Sequence, residues 1–138
     1  MPDNQNIAIE SGGLRLRGRL RETGSGGPSP AAVICHPHPR FGGSMDNNVV
    51  HALEQFLSRR GIVTLAFNFR GVGGSDGQYD NMAGEVDDVI AALQHLASLP
   101  GVDASRIGLA GYSFGGLMAM QACSRLVASA REGKGLGK

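Results

Sequence analysis

Residues 106–116 read RIGLAGYSFGG. An apolar run, Ile107 to Ala110, leads into Gly111-Tyr112-Ser113-Phe114-Gly115, and an apolar helical pattern follows to about Ala130. The pattern G-x-S-x-G between a strand and a helix has a physical logic. A serine at the tip of a tight strand-to-helix turn has its hydroxyl thrust out of the sheet. Glycines two before and two after give the neighbouring backbones room to pack. The helix that starts there aims its first N–H groups and its positive dipole end at whatever meets the serine. The plainer alternative is a Gly-rich turn with Ser113 as an ordinary helix N-cap.

The chain upstream repeats the same alternation. Residues 31–36, AAVICH, and 61–69, GIVTLAFNF, read as short buried strands. Ser44 is the expected cap of a helix running to about Arg60, with Asp46 in its first turn. Its apolar face is Val49, Val50, Leu53, Phe56 and Leu57. A second amphipathic helix spans 82–98, carries Val86, Val89, Ile90, Leu93 and Leu96, and stops at Pro100-Gly101. The run 106–112 is read as a third buried strand, and the helix 113–130 as buried on most sides. Residues 7–9 and 14–21 form a hairpin turning at Ser11-Gly12-Gly13. There Leu14, Leu16 and Leu20 share one face, and Arg15, Arg17, Arg19 and Arg21 share the other. That arginine face reads as a solvated outer face protecting a sheet edge, ahead of a phosphate patch.

Strand, helix, strand, helix, strand, helix at this spacing implies a parallel sheet with right-handed crossovers. In such sheets chemistry sits at the carboxyl ends of strands. The loops to read are therefore 37–44, 70–81 and 112–116. Composition narrows the field. Lys and Arg number 13 against 12 Asp and Glu, a net of +1, which removes the electrostatic case for nucleic acid or a membrane surface. No apolar run approaches the roughly 20 residues that span a bilayer. The start, MPDNQNIAIE, lacks a basic segment followed by an apolar one, so the expected location is cytoplasmic. Cys35 and Cys123 are too few for a disulfide framework and are expected to be buried free thiols.

Three separated segments, ICHPHPRFGGSMDNNVV, FNFRGVGGSDG and GLAGYSFGG, occur in order. Together they resemble the α/β-hydrolase superfamily, in particular its small cytoplasmic branch of dienelactone-hydrolase-like esterases. The resemblance runs from about residue 10 to about residue 123. It implies a serine hydrolase acting on esters, thioesters or amides, with Ser113 as nucleophile, Gly111 and Gly115 as elbow glycines, and no cofactor. The implied architecture is an incomplete α/β-hydrolase fold. It has about five strands, mostly parallel, with helices on both faces and a strand order resembling 1-2-4-3-5. An acyl-transfer oxyanion needs two N–H donors. One is the amide of Phe114. In HPHP, Pro37 and Pro39 have no N–H, so the second is assigned to the amide of His38. His36 is assigned a structural role, bonding nearby backbone, and Asp76 that of a loop-anchoring carboxylate.

Two rivals compete for the same residues. His36-x-His38 at a strand end could open a zinc site, but His51 and His95 both read as solvent-facing and complete no ligand set, so no metal is expected. Gly71 and Gly73 begin a dinucleotide pattern whose last position is Asp76, so the fingerprint fails. The family order places the acid and then the histidine after the serine. After Ser113 the chain holds no histidine and one acid, Glu132. Such a fold commonly needs about 200 residues or more. The expectation is one partial domain over 1–130 with a flexible tail over 131–138, in a truncated or low-activity form. The base could be lost, or supplied by another chain, or unneeded in a non-catalytic binding or oligomerising module. The expected partners are a small ester-type substrate and a second copy, held through the uncovered sheet edge and helix 114–130.

Overall fold

The computed structural model describes residues 3–24 and 26–132. Its elements are β1 (Asp3–Ser11), β2 (Leu14–Glu22), β3 (Ser29–Cys35), a 3-10 turn (Pro39–Phe41), α1 (Asn48–Ser58), β4 (Val63–Phe67), α2 (Ala83–Ala97), β5 (Val102–Gly111) and α3 (Phe114–Arg131). The strands form one sheet in the order β1-β2-β4-β3-β5, as the resemblance implied. The sheet is mixed, however, and not mostly parallel. β3 pairs in parallel with β4 and β5, whereas β1–β2 and β2–β4 are antiparallel. The connections explain this. Residues 23–28 are too few for a crossover, which takes about a dozen, so β3 runs opposite to β2. Helix-bearing connections then keep β4 and β5 parallel to β3.

Helices cover both faces of the sheet. Alternate residues of β3 and β4, Val33, Cys35, Leu65 and Phe67, pack with Ile9, Leu16 and Leu20 against Val86, Val89, Leu93 and Leu96 of α2 and Phe114, Met118 and Ala122 of α3. The intervening residues, Ile34 and Ala66, face Met45, Val50, Leu53 and Leu57 on the α1 side. Period-two alternation in the strands thus sorts one sequence into two apolar layers.

The structure corrects several expectations. Helix α1 is capped by Asn47, whose Oδ1 accepts from the Val49 and Val50 N–H groups at 2.8 and 3.3 Å. Ser44 does not cap it, because its Oγ is taken by the Asp46 N–H. Phe56 is exposed under the Arg60 guanidinium, and Glu54 and Ser58 take places on the buried stripe instead. β5 is an edge strand of the sheet, paired among the described residues with β3 alone, so it is half-exposed and not buried. Only one stripe of α3 is buried, and Leu117, Met120 and Val127 face outward. Cys35 is buried but Cys123 is exposed. Arg131 still belongs to α3, and residues 133–138 of the expected tail lie outside the described residues.

The arginine face of β2 is not uniformly solvated. Arg15 and Arg17 are exposed, but Arg19 lies under α1. Its Nε and Nη2 donate to the two carboxylate oxygens of Glu54 at 2.9 and 2.8 Å, and Nη2 also reaches the Met45 carbonyl. Glu54 is buried, so this forked pair is what lets a carboxylate sit between α1 and the sheet. Removing Arg19 would leave the buried charge with only the half-exposed His51 beside it. Arg19→Ala is expected to lower unfolding free energy by about 2–3 kcal/mol, read from urea denaturation. Arg15→Ala, on the same strand face, should change it by no more than about 0.5 kcal/mol.

Candidate active site

The turn between β5 and α3 is held by backbone-to-backbone contact. A Cβ at Gly111 would lie 2.5 Å from the backbone of Gly115, and one at Gly115 would overlap the Cys35 carbonyl at the end of β3. Only glycine permits α3 to begin this close to the sheet. The chain is pinned there by the Tyr112 N–H to the Cys35 carbonyl at 3.2 Å and the Gly115 N–H to the Tyr112 carbonyl at 3.0 Å. Between the glycines, Ser113 has φ 56° and ψ −118°. An L-residue is held there only when its surroundings over-determine it.

The loop after β3 lies beside this turn. His36 is fully buried. Its Nε2 accepts from the Phe69 N–H at 3.1 Å, so the ring proton sits on Nδ1 and donates to the Pro37 carbonyl at 2.6 Å. Burial pushes its pKa down to about 4, so the ring is neutral. Both ring nitrogens are engaged with backbone, and neither offers a lone pair to a metal. Among the described residues no group of three or more His, Cys, Asp or Glu is placed to hold one.

His38 opens the 3-10 turn. Its Nδ1 accepts from the Arg40 N–H at 3.1 Å, so in the neutral ring Nε2 carries the proton and faces the Tyr79 hydroxyl at 3.3 Å. The ring centroid lies 4.6 Å from that of Phe114. Neither the His38 nor the Phe114 backbone N–H donates a hydrogen bond to any of the described residues. His51 is exposed beside Asp46 and Glu54, but His95 is half-buried and its pKa is lowered by burial, so it is not the solvent-facing residue that helix spacing implies.

The loop 70–81 is stapled to β2. The Asp76 N–H donates to the Arg15 carbonyl at 2.9 Å, and the Asp76 Oδ2 accepts the Arg15 N–H at 3.0 Å. Ser75 donates to the Asn68 carbonyl and accepts from the Arg17 N–H. Sequence reasoning missed the residues that tie this loop to the site. Asn68 accepts the Met45 N–H, and the Arg70 guanidinium grips the buried carboxylate of Asp88, which also accepts from Ser11. Buried Glu85 accepts from the Asp80 and Met82 N–H groups. An acid three residues into a helix is the one local signal for Glu85; the other pairings span distant segments and leave no local pattern. Together His38, Phe41, Met82, Ser113, Phe114 and Leu117 line an open cleft of about 540 Å³.

The neutral state of His36 makes a stability prediction. Its folded pKa is about 4 against an ordinary value of 6.5. As pH falls below 6.5 the unfolded chain takes up a proton that the folded chain refuses. Stability is therefore present above pH 6.5 and is lost as pH falls toward 4, by on the order of 3 kcal/mol. Urea unfolding at stepped pH should show this loss, and His36→Gln, already less stable at neutral pH, should lack that part of the slope.

Comparisons with known proteins place this arrangement. The family model for the prolyl oligopeptidase family matches residues 48–126. A solved structure of an α/β serine hydrolase homologue from Coxiella burnetii is 37% identical, with a TM-score of 0.77, and is matched over 86% of this chain and 56% of that one. A member of the α/β serine hydrolases without lid, from Xanthomonas campestris, is 31% identical, with a TM-score of 0.80, over 91% of this chain and 57% of that one. A polyketide transferase of Penicillium crustosum is 36% identical over 90% of this chain and 41% of its own length. The chain thus spans about half the length of the relatives it matches. No helix of the described residues is long and apolar enough to cross a membrane. The chain belongs to the α/β-hydrolase superfamily, within the prolyl oligopeptidase family, and carries the part of the fold that holds the G-x-S-x-G turn.

Proposed function

We propose that this chain carries the nucleophile and the oxyanion hole of a serine hydrolase acting on an ester, thioester or amide of a small molecule. Ser113 Oγ is the attacking atom. The backbone N–H groups of Phe114 and His38 receive the oxyanion, with α3 pointing its N-terminus at the same place. His36 positions the His38 loop, Asp76 anchors the loop 70–81, and Gly111 and Gly115 form the elbow. The observation that carries the reading is the backbone of Ser113, a non-glycine residue at φ 56° where β5 meets α3. Strain of that kind costs about 1–3 kcal/mol, and it persists where it serves a site.

In the reaction Ser113 Oγ bonds the carbonyl carbon, its proton passes to a general base, and the alcohol, thiol or amine leaves. Water then releases the acid from the acyl-serine. The base and the acid that orients it follow the serine in this fold. Residues 114–138 contain no histidine, so we assign both to polypeptide other than residues 1–138. We further read residues 1–130 as one partial domain, and the unpaired Cys35 and Cys123 as fitting a cytoplasmic setting. A second reading is a non-catalytic module that binds or oligomerises. It is favoured by the exposed Leu117, Met120 and Val127 of α3 and the open edge of β5.

Labelling separates the two. The purified chain is exposed to millimolar fluorophosphonate for hours, and adducts are mapped by mass spectrometry. The expected result is an adduct on Ser113 ahead of the exposed Ser105 and Ser124, absent in Ser113→Ala. Turnover of p-nitrophenyl acetate should stay low and change little in that variant, since an oxyanion hole without a base gives only about 10³–10⁴-fold over water. No preference for Ser113 would overturn the nucleophile assignment in favour of the non-catalytic module. Rapid turnover that Ser113→Ala lowers about 10³-fold would instead overturn the absence of a base.

A further inference from the structure

Among the described residues three that are not glycine have positive φ: Ser113, Asn81 at 49° and Met82 at 83°. Ser113 and Met82 line the same cleft, and Asn81 precedes Met82. Positive-φ strain outside glycine is therefore found, among the described residues, at two places that border the same cleft. The second is clamped as firmly as the first. Glu85, buried in the first turn of α2, accepts from the Asp80 N–H at 2.9 Å and the Met82 N–H at 3.0 Å. On the other side, Arg70 pairs with buried Asp88 and lies so close to Gly84 that a Cβ there would overlap its guanidinium. No short-range need of helix α2 explains a methionine in this conformation, since Gly or Asn would start the helix with less strain.

The lining of the cleft gives the reason. Phe41, Met82, Phe114 and Leu117 are apolar, and no ionisable carboxylate, lysine or arginine joins them. Met82 is 36% exposed, unbranched, and free to follow the shape of an apolar group. We infer that Met82 is a specificity-determining wall of the acyl site, held in its strained turn by Glu85, and that the substrate carries an extended apolar acyl group packed between Met82, Phe41 and Leu117. This rests on Ser113 being the nucleophile.

The test compares ethyl and hexyl fluorophosphonates on the whole chain, scoring the rate of adduct formation at Ser113. In that step Ser113 Oγ bonds phosphorus, fluoride leaves, and the hydroxyl proton passes to water. The wild-type chain is expected to react about tenfold faster with the hexyl probe, the gain from burying about two methylenes. Met82→Gly suits the positive φ, so its melting temperature should not fall, and its hexyl preference should shrink at least about threefold. Met82→Ala should shrink the preference similarly, whereas Val127→Ser, on the outer face of α3, should keep it. An unchanged preference in folded Met82→Gly overturns the role of Met82. A wild-type preference for the ethyl probe overturns the apolar substrate class. Failure of both probes to reach Ser113 in the wild-type chain overturns the nucleophile reading, and this inference with it.

Discussion

The close approach of α3 to the end of β3 is the contact on which the rest of the site depends. Gly115 sits where any side chain would strike the Cys35 carbonyl, and Gly111 where one would strike Gly115. Because the two backbones touch, the chain between them has no room to leave β5 by an ordinary turn. Ser113 is forced to φ 56°, and it lines the cleft. The same contact brings Phe114 against the His38 ring, and so the start of α3 against the loop that follows β3. A single geometric constraint therefore places the serine and the start of α3 beside the loop that follows β3.

That constraint is local in sequence, which is why the elbow is legible there. Gly111, Ser113 and Gly115 lie within five residues, and the flanking strand and helix are periodic. The strand order is legible for a related reason, since each crossover carries its own helix. The direction of β2 is less so. Leu14, Leu16 and Leu20 show which face is buried, but only the length of residues 23–28 shows that β3 must reverse. Burial of β5 is not legible at all. Ile107, Leu109 and Ala110 look the same in a central strand as at an edge, and what decides is how many neighbours pair with it.

The buried charges mark a different boundary. Glu54 and Asp88 are helical acids, a residue type almost never fully buried unless paired. Each is inside because an arginine from a distant segment meets it, Arg19 from β2 and Arg70 from the loop after β4. Asp88 also receives Ser11 from the end of β1, so one carboxylate joins the hairpin, the loop 70–81 and α2. Isolated, each would carry a desolvation cost of several kcal/mol. Paired, Glu54 ties α1 to β2, and Asp88 holds Arg70 where the loop leaves β4, next to Asp80, whose N–H is held with that of Met82 by Glu85. The residues that shape the cleft are thus set by interactions that span up to 77 positions, which no motif at the cleft itself could reveal.

On the proposed reading, the same logic divides the chemistry of the site into two sides. A general base must offer an unprotonated ring nitrogen to the serine hydroxyl and donate from the other nitrogen to an acid. His38 is the histidine that lines the cleft, and it has the opposite arrangement. Its Nδ1 is occupied by the Arg40 N–H, and its protonated Nε2 faces Tyr79. His36 is equally committed, with both nitrogens bonded to backbone and a pKa of about 4 that keeps it uncharged. Neither histidine of the loop after β3 is therefore free to take a proton from Ser113. A histidine on this side could not serve both ends of the reaction, because the tautomer that holds the loop in place is the one that cannot act as base.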